Sequence, residues 1–101
     1  MKKILLVCNA GMSTSMLVKK MEDVARKREI AVDIKAMSFT ESQQAIHEVD
    51  IICLGPQIRY LETKMKETIK GKIPLFVIDM QTYGTMNGEE VLDQALEMIE
   101  D

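Results

Sequence analysis

Residues 8–15 read CNAGMSTS, which places the thiol of Cys8 a few residues ahead of Gly11 and the hydroxyls of Ser13, Thr14 and Ser15. A cysteine in this setting is a small buried hydrophobe, a redox centre, a metal ligand or a nucleophile. The only other cysteine, Cys53, is far away in sequence, there is no CxxC pair, and His47 is the sole histidine. Neither a disulfide framework nor a zinc site has the ligands it needs, so no metal is expected.

The nucleophile reading depends on what the stretch connects. If it joins the end of a strand to the start of a helix, the backbone amides of Asn9, Ala10, Gly11, Met12, Ser13, Thr14 and Ser15 can face one point, and Gly11 lets the loop curl. Unpaired amides, the positive end of a helix and three hydroxyls suit a dianionic phosphoryl group and favour thiolate over thiol. Capping alone would need only one hydroxyl, such as that of Ser13. Three hydroxyls and a glycine beside a thiol exceed that need.

The elements required are legible in the apolar pattern. Short runs rich in Ile, Val and Leu, at residues 4–8, 32–37, 51–54 and 75–78, have strand length. The first, third and fourth are almost continuously apolar, as strands covered on both faces are, whereas Val32, Ile34 and Ala36 alternate with Asp33 and Lys35 as in an edge strand. Leu17, Met21, Val24 and Arg28, flanked by Val18 and Ala25, recur at helical spacing. So do Ile58, Leu61, Met65 and Ile69, ending before Gly71, and Val91, Leu92, Ala95, Leu96 and Ile99, which follow Asn87, Gly88 and an acidic Glu89–Glu90 start. A shorter helix is expected over about 41–47.

Alternating strands and helices predict an α/β fold: a three-layer, doubly wound sandwich on a four-stranded parallel sheet of order 2-1-3-4. In such sheets the working crevice lies at the carboxyl ends of the strands, beside the switch point, where Cys8 falls. The 101 residues make one domain, with 47% hydrophobic and 29% charged residues and only 4% aromatics. Thirteen basic against sixteen acidic residues, scattered apart from Arg26, Lys27 and Arg28 at a helix end, argue against nucleic acid. With no apolar run long enough for a signal peptide core or a membrane span, a cytoplasmic chain is expected, and a small domain with a highly charged surface is expected to be a monomer.

Neither GxGxxG nor GxxxxGK[ST] occurs, which disfavours nucleotide cofactors. The cysteine phosphatase loop, with arginine six residues after its thiol, is closer, but here that position is Thr14. Without the guanidinium that would clamp the equatorial oxygens during hydrolysis, the thiol is better suited to passing a phosphoryl group on.

CNAGMSTS after the first strand, LGPQIRY after the third and IDMQTYG after the fourth resemble the IIB component (EIIB) of the bacterial phosphoenolpyruvate-dependent sugar phosphotransferase system (PTS), of the lactose, cellobiose and chitobiose type. The resemblance covers the whole chain. It implies that Cys8 takes a phosphoryl group from a phosphohistidine of EIIA and gives it to a disaccharide held by the membrane permease EIIC, with transient association at the membrane, no cofactor, and the loop from Asn9 to Ser15 as phosphoryl cradle. A cysteine phosphatase or arsenate-reductase-like enzyme, and a non-catalytic binding module, are the competing readings.

Gln57, Tyr60, Asp79 and Tyr83 fall at the same end of the sheet as candidate loop or partner contacts. Asp79, where a phosphatase would carry a general acid, is read as ordering its loop, and Tyr83 as touching a partner. Met12 and Met16 are candidate apolar docking contacts. His47 should be exposed at the opposite end, and Cys53 should be a buried apolar residue, with a regulatory disulfide to Cys8 as its alternative.

Overall fold

The computed structural model describes residues 1–9 and 12–99. Strand β1 (Lys2–Cys8) is buried from Ile4 to Cys8 and lies inside the sheet, paired in parallel with β2 (Val32–Ser38) on one side and β3 (Ile51–Leu54) on the other. β4 (Leu75–Val77) pairs in parallel with β3, giving the predicted order β2-β1-β3-β4. Continuous apolarity in β1 and β3 is explained by helices on both faces: Ile4, Leu6, Ile51 and Cys53 point to one cluster, and Leu5, Val7, Ile52 and Leu54 to the other. β2 is the expected edge strand, with Ile34 buried and Lys35 exposed. Ala36, expected to face inward, is exposed where the edge leaves the cover of the helices.

Helices α1 (Met12–Lys27) and α5 (Gly88–Ile99) cover the first face. Leu17, Met21 and Ala25, spaced four apart, form the buried stripe of α1, with Val18 and Val24 on its margins. Arg28 lies past the helix end and leaves that stripe. Its guanidinium spans Asp93 and Glu89 of α5, so this member of the basic run is held by carboxylates while Arg26 and Lys27 occupy the last turn as expected. Asn87 begins α5 by accepting a hydrogen bond at Oδ1 from the Glu90 amide, 3.1 Å away. Gly88 follows because nothing larger fits: a Cβ there would stand 2.8 Å from the backbone of both Lys20 and Met21.

On the second face the predicted helix over 41–47 is replaced by a four-residue helix α2 (Phe39–Ser42), a turn, and a 3₁₀ segment, Ile46–Glu48. A capping box starts α2 early. Ser38 Oγ accepts from the Glu41 amide and Glu41 Oε1 accepts from the Ser38 amide. His47 is exposed, as expected, in the segment that leads into the start of β3.

The next helix also differs in its first part: Pro56–Leu61 is 3₁₀, and only Glu62–Ile69 is α-helical (α3). Its terminating left-handed turn begins at Lys70 (φ 52°) and continues through Gly71 (φ 73°), one residue earlier than glycine alone would mark. A short helix that the apolar pattern does not reveal, α4 (Met80–Gly84), follows β4.

Cys53 is fully buried and faces Leu6 across the β1–β3 pair, whereas Cys8 lies two residues further along β1. Strand spacing and rise put their Cα atoms about 8 Å apart, beyond the span of a disulfide. The disulfide alternative is therefore discarded and the apolar role kept; both cysteines are thiols.

Two outcomes follow for stability. Gly88→Ala should lower it by about 1–3 kcal/mol in denaturant titration, because the added methyl meets backbone that cannot rotate away. Burial pushes the Cys53 thiol far above its ordinary range. Above about pH 8.5 the unfolded chain releases a proton that the folded chain retains, so stability falls as pH rises, by up to about 1.4 kcal/mol per pH unit. Cys53→Val should lack that component; parallel stability curves for the two chains between pH 7 and 11 would contradict it.

Candidate functional site

Cys8 ends the inner strand β1 and is 5% exposed. Its neighbours across the sheet are fixed by register. On the β2 side Cys8 stands opposite Ser38, the residue that caps α2. On the β3 side the chain leaves the strand at Gly55, whose amide donates to the Val7 carbonyl at 2.8 Å. A Cβ placed on Gly55 would lie 3.6 Å from Cys8 Cβ and 3.2 Å from Gln57 Oε1. The chain at Gly55 is thus packed against Cys8, with the Gln57 side chain close to the same glycine. Gly55 itself was missed as a site residue, although a glycine-proline pair at a strand end marks a tight exit.

Helix α1 begins four residues after Cys8, so the strand-to-helix junction expected from CNAGMSTS is present. Its first turn contains no carboxylate. The amides of such a turn have no acceptor within the helix, and their dipoles favour an anion. Of the predicted loop members, Ala10 and Gly11 lie outside the described residues, as do the side chains of Met12 and Ser13. Asn9 and Ser15 are exposed. Thr14 faces the other way: it is 2% exposed, and its hydroxyl meets the phenolic oxygen of Tyr83 at 2.9 Å.

That contact changes the reading of Tyr83. At 8% exposure its ring packs in the cluster beneath α1 and α5, so it touches the α1 side of the site and not a partner. Sequence offered no signal for this pairing, which joins positions 69 residues apart. Asp79 is the N-cap of α4, with Oδ2 accepting from the amides of Gln81 at 3.0 Å and Thr82 at 3.2 Å. Its carboxylate is occupied in ordering the segment after β4, the role expected of it.

Three large apolar side chains are exposed on segments that leave the carboxyl ends of strands: Met16 (55%) on α1, Tyr60 (74%) after β3 and Met80 (63%) on α4. Among the described residues no group of His, Cys, Asp or Glu side chains is arranged to hold a metal ion, and no helix is long and apolar enough to cross a membrane.

This arrangement can be set beside known proteins. Residues 3–94 match the family model described as PTS system, Lactose/Cellobiose specific IIB subunit. The chain is 37% identical to the oligo-beta-mannoside-specific EIIB component of Bacillus subtilis, over 98% of this chain and 97% of that protein. It is 39% identical to the galactose-specific EIIB component of Lactococcus lactis subsp. cremoris, over 93% of each. Among solved structures, the cellobiose-specific phosphotransferase IIB component from Borrelia burgdorferi superposes with a TM-score of 0.83 at 41% identity, covering 97% of this chain and 91% of that one. With the family model spanning residues 3–94 and relatives of this identity matching nearly the whole length, the chain belongs to the lactose/cellobiose-specific IIB family of the sugar phosphotransferase system.

Proposed function

We propose that the chain is a phosphoryl carrier in which Cys8 is alternately phosphorylated and discharged. The observation that carries this reading is the position of Cys8 at the carboxyl end of the inner strand, directly before a long helix whose first turn is free of carboxylates. In the first step the Cys8 thiolate attacks the phosphorus of a phosphohistidine on EIIA. The P–N bond breaks, its electron pair returns to the imidazole, and a P–S bond forms. In the second step a hydroxyl oxygen of a sugar held by EIIC attacks the same phosphorus and gives up its proton to a base or to water. The P–S bond breaks and the thiolate is restored.

Both displacements are in-line, and the protein contributes by position and field. Backbone amides of residues 9–15 hold the equatorial oxygens, and the hydroxyls of the loop that face outward, including that of Ser15, add donors. Met16, Tyr60 and Met80 surround this end of the sheet with apolar area suited to docking EIIA and EIIC in turn, and Gln57 lies within the same footprint. The substrate class is a cellobiose-, chitobiose- or lactose-like disaccharide. Relatives of nearly equal identity are named for an oligo-beta-mannoside and for galactose, which fits a sugar pocket located in EIIC. The working compartment is the cytoplasm, at the membrane surface when EIIC is engaged.

The phosphatase reading is disfavoured by Thr14. It occupies the position where hydrolysis would call for arginine, and its side chain is turned inward onto Tyr83. Asp79, read as the position of a phosphatase's general acid, is taken up by capping.

Incubation with phosphoenolpyruvate, the general phosphotransferase proteins and an EIIA should add one phosphoryl group to the chain, detected by mass spectrometry, and Cys8→Ser should take none. Labelling of Cys8→Ser at the wild-type rate would defeat the reading, while rapid Cys8-dependent hydrolysis of an aryl phosphate would favour the phosphatase. Asp79→Asn, which keeps a capping oxygen, should accept label within about threefold of wild type, because asparagine caps about as well as aspartate. A general acid at this position would make that substitution far more damaging.

A further inference from the structure

The buried Thr14–Tyr83 contact lies in the first turn of α1, the helix that begins four residues after Cys8. Two buried hydroxyls must find partners, and satisfying each other would be reason enough for the pair. Its setting suggests more. Tyr83 is on a short helix that is held at three places: Asp79 caps its start, the Tyr83 amide donates to the Asp79 carbonyl at 2.9 Å, and Thr82 Oγ1 donates to Glu90 Oε1 of α5 at 2.9 Å. Glu90 is itself fixed in the first turn of α5, where its amide donates to Asn87. The phenol is therefore presented from a braced platform, and it reaches α1 within the turn where Thr14 sits.

We infer that Tyr83 is a positioning residue for phosphoryl transfer at Cys8, acting through Thr14 to fix the first turn of α1. The inference rests on the relay reading above. Tyr83 touches neither the thiol nor the phosphoryl group. Its hydroxyl sets the height and rotation of the turn that carries the amide donors, and a displacement of about 1 Å in such donors is enough to slow an in-line transfer by up to a hundredfold. Either hydroxyl can donate in this contact, so each can satisfy the other without a further partner.

Tyr83→Phe removes one oxygen and preserves the ring. At saturating phospho-EIIA its rate of Cys8 labelling should fall about tenfold, within the range attributed to small misplacements. The EIIA concentration for half-maximal rate should stay unchanged, and the ³¹P resonance of the phosphocysteine should move. The double substitution Tyr83→Phe with Thr14→Val separates positioning from hydroxyl satisfaction. Removing both polar groups should return the melting temperature toward wild type, while transfer stays about tenfold slow.

Wild-type transfer in the double variant, or wild-type transfer and an unmoved ³¹P line in Tyr83→Phe, would overturn the inference while leaving the relay intact. A wild-type chain that takes no label would overturn the relay reading and this inference together.

Discussion

The parallel register of β1 between β2 and β3 is the constraint on which the rest depends. It brings Ser38 to one side of Cys8 and the Gly55 turn to the other. Because all strands run the same way, every segment that leaves a carboxyl end is delivered to the same rim. The start of α1, the capping box of α2, the Pro56–Leu61 turn and α4 are delivered to the same edge of the sheet as Cys8 for that reason. The hydrophobic clusters on the two faces lock this register, since a slip of one residue would send Ile4 and Leu6 to the side built for Leu5 and Val7.

The helices on the Cys8 side of the sheet are joined at both ends. Near the site, α1 is held through Thr14 to Tyr83. At mid-length its backbone receives Gly88 at a separation that only a hydrogen side chain allows, and beyond its last turn Arg28 bridges to two carboxylates of α5. The exposed ion pairs contribute little energy individually. The glycine approach and the buried hydroxyl pair are the more demanding contacts, because neither tolerates a larger or less polar replacement without rearrangement.

The inner strands β1 and β3 were legible because they carry apolar residues at consecutive positions, and the edge strand β2 because it alternates; β4, read as covered on both faces, is the other edge, with Leu75 and Val77 only half-buried. The long helices declared themselves through buried residues three and four apart. What escaped were features shorter than those periods. α4 has five residues, too few for a stripe, and the segment over 41–47 carries too few apolar side chains to sustain a helix once Ser38 and Glu41 have started it early. Cys8 was visible from its immediate neighbours. Tyr83 was visible only as a residue at the correct end of the sheet, since a contact across 69 positions leaves no trace in local composition and needed the fold to be seen.

Under the proposed phosphoryl-carrier function, Met16, Tyr60 and Met80 would also bear on how long a charged intermediate lasts. A phosphoryl group on sulfur at this rim stands in water whenever no protein covers it, and water competes with the next acceptor for its phosphorus. Exposed apolar side chains on the segments that leave this rim would make docking and dehydration the same event. In the proposed relay, wasteful loss would then be governed by the interval between encounters, and efficiency would be set by partner concentration as much as by the chemistry at Cys8.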